Sequence, residues 1–154
     1  MERRSRTSRL TAGISLIEST ISVFLALTCG FLLVAMIPMA TLSKERAKAQ
    51  NIATSIAQKH MEAVRSLGFS RITPTQLAGY GLIDSSTTIA TDTYSITNVD
   101  AVLIDSPISS LPHGSGWLMI ETVSINLKRV TVHIDYSDVK GDKFVHLETS
   151  IANY

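Results

Sequence analysis

The chain has 154 residues, room for one domain and an appendage. Its 14 basic and 13 acidic residues leave a formal charge of +1, so nothing global points to a nucleic-acid binder. Charged residues are 18% and mean hydropathy is +0.22, too apolar for a disordered chain, while the lone Cys29 excludes a disulfide scaffold and a cysteine-based zinc cluster.

The charge is unevenly spread. Residues 1–13 carry Arg3, Arg4, Arg6 and Arg9 against Glu2, a net of +3. Glu18 is then the one charged residue before Lys44, and residues 19–43 form an uncharged run of 25 that includes Ile21, Val23, Phe24, Leu25, Leu27, Phe31, Leu32, Leu33, Val34, Met36 and Ile37. A hydrocarbon core of ~30 Å needs about 20 such residues as helix. The arginines on the N-terminal flank predict that this end stays in the cytoplasm, with the rest of the chain outside. An ordinary secretory signal has an apolar stretch of only ~7–15 residues without an acid. The twin Arg3-Arg4 lacks the apolar residues a twin-arginine signal needs, since Ser5-Arg6-Thr7 follow. A plain uncleaved anchor fits the hydropathy equally well.

Glu18 separates these readings. An ionised carboxylate in an apolar segment costs roughly 2.5 kcal/mol or more away from the interface, so it calls for a partner. Gly13-Ile14-Ser15-Leu16-Ile17-Glu18 resembles the processing site of the type IV pilin-like family. In that family a prepilin peptidase cuts after the glycine and usually N-methylates the new first residue, and the fifth mature residue is glutamate. The resemblance implies cleavage between Gly13 and Ile14, with Ile14 standing where phenylalanine is commoner. It also implies that Glu18 pairs with the new α-amine of a neighbouring subunit. A buried pair missing one member is destabilised by ~3–5 kcal/mol, which would enforce axial register during assembly. Removal of residues 1–13 leaves 141 residues with ten basic and twelve acidic side chains, a charge of −2.

Within the apolar segment, residues 14–42, Pro38 lacks an amide hydrogen and should kink or loosen the preceding turn, and Gly30 is a second weak point. Ser15, Ser19, Thr20, Ser22 and Thr28 read as helix-packing positions. Residues 43–68 turn polar but keep helical periodicity: Ala49, Ile52, Ala53, Ile56, Ala57, His60, Val64 and Leu67 recur at steps of three and four. Gly68 and Pro74 predict the stop. A helix over residues 14–67 would be about 81 Å long. Residues 51–69 resemble the second helical half of minor pilins linked to pilus modification and of one minor pseudopilin of type II secretion.

Residues 69–154 change period and read as a β-rich head. Val130, Val132, Ile134 and Tyr136 alternate onto one face, as do Val145, Leu147, Thr149 and Ile151, with residues 137–142 expected as a hairpin loop. Residues 117–122 and 94–104 are further strand candidates. The expected fold is α+β: a long N-terminal helix packed against a C-terminal antiparallel sheet. The roughly 80 residues of the head bury little alone, so the helix stripe should be part of its core.

Other chemistry is thinly supported. His113-Gly114-Ser115-Gly116-Trp117 lacks the Gly-x-Ser-x-Gly elbow and reads as a glycine loop before a strand. His133 and His146 are expected opposite each other on the solvated sheet face, too few for structural zinc. Asp138 and Asp142 match no EF-hand spacing for Ca²⁺. Residues 69–154 carry five basic and nine acidic residues, a net of −4, and only Lys128-Arg129 offers a basic patch, so no nucleic-acid partner is expected. The expectation is therefore a minor pilin or pseudopilin without enzymatic activity or cofactor. It would be made as a precursor in the cytoplasmic membrane, with prepilin peptidase and other pilin subunits as partners. The alternatives are an uncleaved, membrane-anchored periplasmic binding module and a tethered hydrolase using His113 and Ser115.

Overall fold

A computed structural model of the chain describes residues 16–101, 104–138 and 140–153. It divides into two compact units, Met1–Ser43 and Lys44–Tyr154. The elements are α1 (Leu16–Leu67), a 3₁₀ turn (Phe69–Arg71), α2 (Pro74–Gly79), β1 (Thr93–Ser95), α3 (Pro107–Ser110), β2 (Ser115–Ser124), β3 (Leu127–Asp138) and β4 (Gly141–Ala152).

In the first unit, α1 is apolar on every side and all its residues from 16 to 43 are exposed. Four of its hydroxyls bond back to the helix itself. Thr20 donates to the carbonyl of Ile17, Thr28 to that of Phe24, Thr41 to that of Pro38 and Ser43 to that of Met39, all at 2.8–2.9 Å. Gly30 and Pro38 both lie inside α1, which remains helical through each. At Pro38 the missing amide leaves the carbonyl of Val34 without its helix donor.

The second unit is a two-layer α+β head. Residues 44–67 of α1 bury Ala53, Ile56, Ala57, His60, Met61 and Val64, a stripe at helical spacing. The helix stops at Gly68, whose φ of +72° is open to a residue without Cβ, and Pro74 opens α2 at its first turn. The sheet is antiparallel in the order β1-β2-β3-β4. Its buried face carries Leu118, Ile120, Val130, Val132, Ile134 and Tyr136, and these join the helix stripe in one core. Burying each Val, Leu or Ile of that core contributes about 1.5–3 kcal/mol, so the 44–67 stripe is integral to the head. Arg65 Nε donates to Thr149 Oγ1 at 3.0 Å and Arg46 pairs with Asp138 at 3.0 Å, tying helix to sheet.

Two strand expectations need correction. The strand expected over 94–104 is limited to Thr93–Ser95. Beyond it the ladder gives way because Thr97 substitutes its side chain for backbone: its Oγ1 accepts the Gly116 N–H at 3.1 Å. The chain then passes through Asn98 and Asp100 into α3, which starts at Pro107 with Ser106 as its cap. The loop expected over 137–142 is instead mostly ladder. Pairing reaches Asp138 and Gly141, helped by a Gly141 φ of +118° and a cross-strand bond from Ser137 Oγ to Asp142 Oδ1 at 2.8 Å.

Candidate assembly site

Glu18 lies in the first described turn of α1 and is exposed. Gly13 and Ile14, the expected processing positions, lie outside the described residues. From residue 16 to residue 43 Glu18 is the only ionisable group apart from Cys29, on a helix whose apolar side chains are exposed among the described residues. The helix over residues 16–67 is long and apolar enough to cross a membrane. Such a surface in one chain is stable only against lipid or against other apolar helices.

The head brings together some of the residues singled out by sequence and separates others. His133 and His146 are directly paired across β3 and β4, with ring centroids 6.0 Å apart. His133 also stacks between Trp117, at 4.6 Å, and Phe144, at 5.0 Å, and its Nε2 lies 2.9 Å from Asp135 Oδ1. This three-ring ladder was not legible in the sequence. Alternation alone puts Trp117, His133 and Phe144 on outward positions, but only the register makes them neighbours.

His113 and Ser115 share a cleft of about 340 Å³ with Asp135, Tyr136, Ser137 and Asp142. His113 lies between α3 and β2 and Ser115 is the first residue of β2, a helix–turn–strand rather than a nucleophile elbow. Among the described residues no hydrogen bond joins His113 to Ser115, and Asp135 faces His133. Gly114 is required there for packing, since a Cβ would sit 2.0 Å from the Pro107 carbonyl oxygen. No group of three or more His, Cys, Asp or Glu residues gathers among the described residues. Asp138 faces Arg46, and Asp142 accepts from Ser137.

The Lys128-Arg129 pair is split by strand alternation. Lys128 Nζ donates to the carbonyls of Phe69 and Ile72 at 3.2 and 2.8 Å and lies over the Phe69 ring. Arg129, on the other face, pairs with Glu121 and Glu148, both at 3.1 Å. Both cations thus serve the head's own architecture.

One buried group escaped the sequence reading as anything but a stripe residue. His60 is fully buried, and neither ring nitrogen has a hydrogen-bond partner among the described residues. Burial pushes its pKa down to about 4, opposed in part by the negative charge of Asp84. It is a neutral ring held in an apolar layer.

The chain is thus an α+β protein with a long apolar helix able to span a bilayer and a sheet-bearing head. No family model, curated protein or solved structure matches it.

Proposed function

We propose that the chain is a minor pilin or pseudopilin, a structural subunit of a type IV pilus or type II secretion-like filament. It is inserted in the cytoplasmic membrane with residues 1–13 inside and the head outside. Prepilin peptidase cuts between Gly13 and Ile14, and the helix then assembles side by side with those of other subunits. The observation that carries this reading is Glu18: one acid in an uncovered apolar helix, five residues beyond a glycine that ends a short basic leader. Lipid gives such a carboxylate no partner, whereas the α-amine created by cleavage at Ile14 of an adjacent subunit does. No catalytic role is proposed for the head.

Intact-mass measurement of the protein extracted from membranes tests the proposal. In cells with prepilin peptidase the mass should fall by residues 1–13 and rise by one methyl group. A chain still beginning at Met1 under those conditions favours the uncleaved anchor with a periplasmic binding head.

A further inference from the structure

We propose that the outer edge of β4 is a docking site for an extended segment of a partner polypeptide, with alternating basic and apolar residues, which adds to the sheet as a fifth strand. The two sheet edges differ. At β1 the outward carbonyls are already taken: Asp84 N–H donates to Ser95 O at 2.8 Å and Ile89 N–H to Thr93 O at 2.8 Å. At β4 no covering segment exists among the described residues.

Hydrogen-bond parity identifies the free groups. Ile120 N–H donates to Asp92 O and Ile96 N–H donates to Gly116 O, so even-numbered residues of β2 face β1. Odd-numbered residues of β2 therefore face β3, where Trp117 meets His133 and Met119 meets Thr131. The even residues of β3 then face β4, pairing Val132 with Leu147 and Ile134 with Val145. What remains outward on β4 is the N–H and C=O of Asp142, Phe144, His146, Glu148 and Ser150. This edge is 12 residues long, contains no proline and no bulge, keeps regular register throughout, and carries three charges, Asp142, Lys143 and Glu148.

The side chains specify the occupant. Val145, Leu147 and Ile151 are only partly buried and await apolar neighbours on the core side. On the outer side Phe144 ends the ring ladder with 66% of its surface exposed. The outer face of β2, β3 and β4 carries Asp135, Asp142, Glu121 and Glu148 against the single cation Arg129, so lysine or arginine at alternate positions is the complementary choice. A second copy fits less well. Antiparallel self-pairing about a two-fold turns residues 44–67 of α1 in opposite directions in the two copies, whereas copies inserted in one membrane run the same way. The shared direction of the copies rests on the function proposed above.

The test uses the full chain in detergent and three synthetic peptides about ten residues long. One alternates lysine and valine, one alternates glutamate and valine, and one has the lysine–valine composition in two blocks. The alternating lysine peptide should slow amide hydrogen exchange at Phe144, His146, Glu148 and Ser150 by about tenfold or more, and the other two should not. His146→Pro removes an outward N–H that no ladder bond uses, so it should abolish this protection while the head unfolds at the parent temperature. Should that variant fail to fold, Glu148→Lys keeps the backbone intact and should weaken the preference for the lysine peptide severalfold, whereas an unchanged preference would overturn the proposal. Equal protection by all three peptides, protection by none, or protection that grows with protein concentration in the absence of peptide would overturn the proposal. The N-terminal mass is read on the same sample, so failed strand addition and failed processing are distinguished.

Discussion

The two halves of α1 obey opposite rules. Residues 16–43 are apolar all round and wholly exposed, whereas residues 44–67 are amphipathic and bury six side chains in the core shared with the sheet. The second half packs on the sheet of its own unit, whereas the described residues of the first half are all exposed. An exposed apolar helix of this length is compatible with a membrane span, and under the function proposed above its single carboxylate is where a neighbouring subunit supplies a positive charge.

The largest expected effect breaks the first half. Glu18→Ala should lower incorporation into sheared filaments a hundredfold or more, the scale of a buried pair losing one member at roughly 3–5 kcal/mol. Membrane insertion of the variant should be unchanged. Next comes the second half: Ile56→Ala should destabilise the head by about 2–5 kcal/mol in denaturant unfolding, whereas Leu25→Ala should leave that transition where it was. The pair of substitutions makes the contrast quantitative, with the same loss of methyl groups on one helix and opposite consequences for the head.

His60 gives a pH dependence of comparable size. Its folded pKa, about 4, lies below the ordinary 6.5, so the unfolded chain binds the proton more readily. The stability it contributes is present above pH 6.5 and is lost as pH falls toward 4, about 3 kcal/mol in all. His60→Leu should remove that acid-side slope. The smallest effect belongs to Arg129→Ala, which should cost under about 1 kcal/mol because the half-exposed Glu121 and Glu148 pairs are solvent-screened.

How much of this was readable beforehand follows from the range of the interactions. The period of 3.6 in residues 49–67 and the period of 2 in residues 129–151 are local, and both halves of the α+β core were visible in them. Gly68 and Pro74 marked the helix stop for equally local reasons. The 94–104 segment misled because its apolar pattern resembles a strand, while Thr97 diverts the ladder through a contact to Gly116 nineteen residues away. Gly141 was read as part of a loop because sequence does not reveal how far the β3–β4 ladder extends. At the candidate site, the isolation of Glu18 was a sequence fact from the start. The ring ladder of Trp117, His133 and Phe144 and the free parity of β4 required the pairing register, which no local pattern encodes.

Photocrosslinking from position 18 tests the central claim most directly. With a photoreactive residue replacing Glu18, irradiation of assembled filaments should yield a crosslinked peptide pair containing Ile14 as the first residue of a neighbouring subunit. Crosslinks confined to lipid, or to a neighbour that still carries residues 1–13, would contradict the account.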